Sequence, residues 1–267
     1  MPIAYIDHLN RLYRSLGFPP YDWTVNHTAP FTSLARPLNA CTVALLTTGG
    51  ISRRDAPPWN PDARNDFRLD AIPADTPADA FQVHDHYYDD RAARTDINCQ
   101  FPLTRLAELA AEGVIGGVAR RHWSGFMGRI YKRSDVVEVH APAFAACLRE
   151  DDVDLLVLIP ACPLDHQTAG LVARVVEEHG IATVMIATAR DLAACVRPPR
   201  TLFVDHPMGN ALGRAGDAAG QRAILSRALA LAVTAAAPGV LIDDPSDWGA
   251  PFEVYYKETT REYQSRK

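Results

Sequence analysis

Apolar positions along the chain fall into two alternating rhythms. Short unbroken apolar runs stand at Thr42–Thr47, Asp154–Pro160 and Ala182–Ala187, and continuous rather than alternating runs of this length belong to strands buried on both faces. Around them apolar residues recur at three- and four-residue spacing, which predicts helices over about 4–16, 102–112 (closed by Gly113), 139–149, 164–178 (closed by Gly180) and 217–237. Further short strands are predicted at 114–118, 201–205 and 240–243. The best-defined unit runs strand–helix–strand from 154 to 187, a crossover that makes a parallel, right-handed pair. Strands alternating with helices imply an α/β fold: a parallel sheet covered by helices on both faces, doubly wound and flavodoxin-like.

Two stretches break the pattern. Thr48, Gly49 and Gly50 end the first strand in a tight turn, a candidate ligand-facing loop. From 51 to 105 periodicity disappears into Pro, Asp, Arg and His, and so long an irregular segment inside an enzyme is expected to be functional. The expected organisation is one α/β domain over 1–267, with 1–40 as an N-terminal extension and 51–105 as a long functional loop region, an irregular N-terminal insertion in the sheet. The tail from Tyr255 reads as a surface helix or frayed end.

Composition mainly excludes. With 48% hydrophobic and 22% charged residues the chain is ordinary globular material. A net charge of −5 without a basic stripe gives no reason for nucleic acid or an anionic membrane, which leaves a small molecule as the default partner. No signal-peptide core precedes the first helix and no run approaches the ~20 apolar residues of a spanning helix, so a cytoplasmic location is expected. Five cysteines at irregular spacings suit free thiols in a reducing compartment.

Ligands of open parallel sheets bind outside the carboxyl ends of the strands. Those ends carry Thr47–Gly50, Cys162, Ala187–Thr188 and Asp205–Pro207. Pro163 suits a first helical position and so places Cys162 at the N-cap, where unpaired amides and the helix dipole favour thiolate. His166, about one turn on, is a candidate cation or general acid. The alternative is that Cys162 is a small buried filler. On an extended segment His84 and His86 share a side, but no ligand pair recurs at a recognised spacing, so no metal is assigned and these two are weak candidates only. Arg53, Arg54, Arg68, Arg120, Arg121 and Arg129 are candidates for gripping a carboxylate. Gly209, Gly213 and Gly216 lack the order of a dinucleotide turn.

The stretch Cys162-Pro163-Leu164-Asp165-His166-Gln167-Thr168-Ala169-Gly170, ahead of a helix ending Glu177-Glu178-His179-Gly180-Ile181, resembles the selenoprotein B family of glycine, sarcosine, betaine and D-proline reductases. So do Thr47–Gly50, His84–Asp89, Asp96-Ile97-Asn98, Phe126-Met127-Gly128 and the segment from Pro207 to Gln221. The resemblance spans about 40–235. It implies reductive cleavage of a carbon–heteroatom bond, of C–N type, in a small polar substrate. Cys162 is then the nucleophile with His166 and Asp165 beside it, and Thr48, Gly49, Gly50, His84, His86, Asp96, Asn98, Cys99, Gln167 and Thr168 are the substrate-binding set. Many relatives carry a second Cys where this chain has Asp165. Cys-x-x-Asp cannot close a disulfide, so an external thiol reductant, a thiol-donor protein or another cysteine, Cys99 first, must resolve the intermediate. No cofactor beyond that is implied, and a homo-oligomer is left open. The alternatives are a non-redox lyase, hydrolase or isomerase using Cys162 with Asp165 or His166, a metal-assisted enzyme using His84 and His86, and a non-catalytic binding subunit.

Overall fold

The structure, a computed structural model, describes residues 2–254. Among them the strands are β1 (Thr42–Thr47), β2 (Ile51–Arg53), β3 (Leu69–Pro73), β4 (Phe81–Val83), β5 (Gly117–Val118), β6 (Arg121–Gly125), β7 (Leu155–Ile159), β8 (Ala182–Ala187), β9 (Arg200–Phe203) and β10 (Val240–Asp243). The helices are α1 (Tyr5–Ser15), α2 (Arg91–Thr95), α3 (Leu103–Ala111), α4 (Arg133–Asp135), α5 (Ala141–Glu150), α6 (Pro163–Glu178), α7 (Arg190–Val196) and α8 (Ala218–Thr234). Among the described residues no helix is long and apolar enough to cross a membrane. The tail from Tyr255 lies outside the described residues.

The main sheet has the order β10-β9-β8-β7-β1-β6-β3, with β5 also paired to β1. It is parallel except for β3, which closes the edge antiparallel to β6. Alternation along the buried strands feeds two cores. Val43 and Leu45 join Leu106, Leu225 and Leu229 on the α3/α8 face, while Ala44 and Leu46 join Phe144, Leu148 and Val172 on the α5/α6 face. Continuous apolar runs were the correct sign of a sheet wet on neither side.

The chain leaves β1 to build β6 on one flank, then returns to place β7 on the other and continues outward to β10. The order therefore reverses between β1 and β7. In doubly wound sheets the ligand crevice opens at that switch point, beyond the carboxyl ends of the two strands, which here are Thr47–Gly50 and Pro160–Cys162.

Two expectations need correction, and two elements went unpredicted. The segment 51–105 is not without regular structure: it contains the β2–β4 ribbon, the edge strand β3 and α2. These strands are short and only partly buried, so no apolar run marked them. The strand expected at 114–118 is reduced to Gly117–Val118. Strand β6, Arg-His-Trp-Ser-Gly, shows no apolar run because His122 takes part in the ladder itself, its Nδ1 accepting the Leu45 amide at 3.1 Å. Helix α7, between β8 and β9, is too short to show periodicity.

One ion pair ties the back of α6 to the sheet and to the N-terminal extension. Arg200 donates to Glu177 at 2.7 Å, both side chains fully buried. Glu177 also accepts from the Thr32 amide and from the Thr183 amide and hydroxyl, and Arg200 reaches the Thr32 carbonyl and stacks on Phe31. Removing one partner of a buried pair strands the other's charge, at a cost of about 3–5 kcal/mol. Glu177→Gln is accordingly expected to lower the urea-unfolding free energy by roughly that amount and to speed hydrogen exchange at the Thr32 amide. A loss under about 1 kcal/mol, the scale of an exposed pair, contradicts this account.

Candidate active site

The two strand ends at the switch point are bonded to each other. The Thr48 amide donates to the Ile159 carbonyl at 3.4 Å, the Ala161 amide donates to Thr48 Oγ1 at 3.3 Å, and Gln100 Nε2 donates to the Ile159 carbonyl at 3.0 Å. The glycine turn is pinned to the following segment: Tyr88 Oη donates to the Gly49 carbonyl at 2.6 Å and the His84 amide to the Gly50 carbonyl at 2.9 Å. Gly50 has φ +64° and a Cβ there would meet the His84 carbonyl oxygen at 2.3 Å, so the turn requires glycine on both counts.

Cys162 is the extended N-cap of α6, with Pro163 at the first helical position as the sequence predicts. The N-terminus is closed by a capping box: the Cys162 sulfur accepts the Asp165 amide, and Asp165 Oδ2 accepts the Cys162 amide at 3.1 Å. Asp165 Oδ1 takes the Gly128 amide at 2.8 Å, and the carboxylate also bonds the Thr48 hydroxyl and the Cys162 thiol. Cys162, Asp165 and Thr48 are thus brought together.

Electrostatics here differ from the sequence expectation. Burial raises the Asp165 carboxyl to about 7 even against these hydrogen bonds. Asp85, fully buried nearby, is pushed well above the ordinary carboxylate range by burial and then by the Asp165 charge. Its Oδ1 accepts the Tyr87 amide at 2.7 Å, while Oδ2 has no partner. Burial first, then the charges of Asp165 and Asp85, push the Cys162 thiol up rather than down. The helix N-terminus favours thiolate, but two carboxyls and the burial of Cys162, only 2% exposed, outweigh it. In the resting site the stable arrangement is a thiol above acids with a proton to exchange.

His166 does not serve as cation or acid. Its Nδ1 meets the Cys162 carbonyl at 2.7 Å and its Nε2 accepts the Thr188 amide at 3.0 Å and the Ala189 amide at 3.2 Å. Burial lowers it to about 4. A neutral ring with both nitrogens committed clamps α6 to the end of β8.

The remaining predicted residues disperse. Gln167 bonds the Thr24 amide and the Tyr21 hydroxyl, which fixes the N-terminal extension over α6, and Thr168 bonds back to the Leu164 carbonyl. Asp96, Asn98 and Cys99 form a separate cluster, with Asp96 accepting from Gly216 and Gln221 and the Cys99 sulfur against Gln221 at 3.9 Å. Burial and the Asp96 charge hold Cys99 up at about 12, and Cys99 is absent from the wall of the cavity that contains Cys162. His86 stands 4.0 Å from Asp62. Among the described residues no group of three or more His, Cys, Asp or Glu could hold a metal ion. Of the six arginines, Arg53, Arg68, Arg120, Arg121 and Arg129 are paired with acids, and Arg54 reaches the Asp79 carbonyl.

Cys162, Pro163 and Leu164 line a cavity of about 430 Å³. Its apolar wall comes from Leu9 and Leu12 of α1, Leu16 at its C-cap and the segment Phe18–Pro20; Tyr13, Tyr21, Tyr87 and Tyr131, with Arg64 and Arg129, complete the lining. The Tyr13, Tyr87 and Tyr131 phenols stand close enough to Cys162 for its charge to act on them. Sequence reasoning missed this wall and Asp85. The one available signal was the amphipathic run at 4–16, whose apolar face needed a partner.

The chain is 30% identical over 220 residues to the D-proline reductase subunit gamma of Acetoanaerobium sticklandii, covering 82% of this chain and 90% of that protein. It is 27% identical over 225 residues to the glycine reductase complex component B subunit gamma of Carboxydothermus hydrogenoformans, covering 80% of this chain and 49% of that one. For the same subunit of Symbiobacterium thermophilum the values are 25% over 216 residues, 74% and 48%. The chain thus spans about half the length of these two glycine reductase subunits. No protein-family model matches the chain, and no solved structure matches it.

Asp85→Asn tests the charge coupling, because an amide can keep the Tyr87 bond while losing the charge. The pH midpoint for iodoacetamide labelling of Cys162, resolved by peptide mass spectrometry, is expected to fall by about one unit. The sign on stability follows. Asp85 has a folded-state value above 3.8, so folding binds protons in the window above 3.8 and stability falls as pH rises through it. The variant therefore gains stability over the wild type at pH 8 and not at pH 3. An unchanged labelling midpoint rules the coupling out.

Proposed function

Because the chain belongs to the selenoprotein B family of D-proline and glycine reductase subunits, we propose that it is a thiol-dependent reductase component in which Cys162 cleaves a C–N bond of a small substrate. The observation that supports this reading is that Cys162 lines the cavity while its thiol bonds an Asp165 carboxyl raised to about 7. Asp165 takes the thiol proton as the sulfur attacks the carbon bearing nitrogen. The S–C bond forms, the C–N bond breaks, and the proton passes from Asp165 to the departing amine. Thr48 and the Gly128 amide steady the carboxylate during the exchange, and His166 is a positioning residue that fixes the start of α6.

The S–C adduct then requires a second thiol. That thiol attacks the Cys162 sulfur, the carbon leaves with the electron pair and takes a proton, and a mixed disulfide remains for a further thiol to reduce. Cys99 lies outside the cavity wall, so the resolving thiol comes from a small thiol or a thiol-donor protein. Asp165 in place of a second cysteine also favours one alternative, a non-redox reaction in which the adduct is released to water or to the departing group and no electrons are needed.

Cys162→Ser is expected to keep the fold and binding, to lower kcat roughly a thousandfold or more, and to form no substrate adduct detectable by mass spectrometry. Turnover of the wild type on a panel of N-substituted amino acids should depend on dithiothreitol. Full-rate turnover without any thiol selects the non-redox alternative, and activity retained in Cys162→Ser removes Cys162 from the chemistry altogether.

A further inference from the structure

The wall of the Cys162 cavity carries information about what it accepts. At about 430 Å³ it falls within the roughly 300–1,000 Å³ of pockets that enclose drug-sized ligands. Glycine or proline would leave most of that space to water against apolar side chains. The apolar part comes from neighbouring positions of the N-terminal extension: Leu9 and Leu12 of α1, Leu16 at its C-cap, and Phe18 and Pro19 just beyond. Tyrosines face this wall, with Tyr21 at 6.2 Å from Tyr13 and 6.3 Å from Tyr131 between ring centroids.

The two arginines of the lining adjoin, Arg64 pairing with Arg129 through an isolated parallel backbone bridge. Arg129 bonds the Asp62 carbonyl and lies 3.7 Å from the Asp62 carboxylate, yet its buried Nε has no partner. Arg64 engages no acid among the described residues. Asp22, the acid on the wall, is already paired with Arg133 at 3.2 Å. The balance left for a ligand is cationic, and a guanidinium fork matches a carboxylate.

We propose that the substrate of this site is an amphipathic amino acid larger than glycine or proline, its carboxylate at Arg64 and Arg129 and an aromatic or branched apolar group on its nitrogen against α1. This rests on the reading of Cys162 as the reacting group. The N-terminal extension is then the specificity element, since α1 and the turn after it supply the apolar wall.

The test compares D-proline, N-benzyl-D-proline and N-benzyl-D-prolinamide by calorimetry on the full chain, alongside protection of Cys162 from iodoacetamide. The benzyl acid is expected to bind roughly tenfold to a hundredfold more tightly than D-proline, to protect Cys162, and to exceed the amide by about tenfold. Leu12→Gln, which leaves the buried anchors Tyr5 and Leu9 of α1 in place, should narrow the first difference. Arg64→Gln should narrow the second. D-proline binding as tightly as the benzyl acid, acid and amide binding alike, or binding without protection each overturns the proposal. Turnover with dithiothreitol is read separately. Tight protective binding without thiol-dependent product keeps this substrate class and removes the reductive reading. Thiol-dependent turnover of D-proline with no gain from bulk does the reverse.

Discussion

The site depends on one buried carboxyl group. Asp165 accepts the Cys162 amide across the first turn of α6 and the Gly128 amide from the turn after β6, and it bonds the Thr48 hydroxyl at the end of β1. One side chain therefore joins three separate carboxyl ends of the sheet at the point where strand order reverses. Burying a charge this way is costly unless it is fully hydrogen-bonded, and here four donors meet two oxygens. The same burial brings its proton affinity to about 7. The residue that holds the site together is thereby also the residue able to exchange a proton with the sulfur beside it.

Asp85 changes the balance without touching the frame. Its second oxygen has no partner, its own proton affinity is raised by burial and then by the Asp165 charge, and its charge in turn helps raise Cys162. A lone acid at a helix N-terminus would be ionised and a lone cysteine there would lean to thiolate. Two buried acids with one thiol resist carrying three charges, so protons stay until something in the cavity takes their place. In the proposed reaction the leaving amine supplies that sink.

Legibility from sequence followed physical distinctness. Strands β1, β7 and β8 were readable because burial on both faces leaves an unbroken apolar run, and α6 because Pro163 and Gly180 mark its ends. Strand β6 was not, since His122 lends a ring nitrogen to the ladder where an apolar residue would have signalled it. Cys162 was found from local rules for helix starts. Asp85 was passed over between two histidines, because the energy that singles it out comes from an aspartate eighty residues later. His166 misled in the opposite way: its spacing from Cys162 suggested chemistry, but the amides of Thr188 and Ala189 occupy the nitrogen that would have done it.

The exchange of a second cysteine for Asp165 joins these observations into one constraint. A Cys-x-x-Cys turn keeps its reductant within a helical turn and needs no room beside the sulfur for another molecule. With a carboxylate in that place the turn gains a proton relay and loses its electron source. Whatever resolves an adduct on Cys162 must then reach the sulfur through the cavity, past α1 and the tyrosines. In the proposed reaction, the wall that would favour a bulky apolar substituent is the same wall an incoming thiol would cross once the amine has left. On the proposed reading, substrate size and access for the reductant are governed by one element, the N-terminal extension, which Gln167 and Glu177 hold down at Tyr21, Thr24 and Thr32. Both side chains belong to α6, so the helix that carries the thiol at its first turn also anchors, along its length, the cover over that thiol.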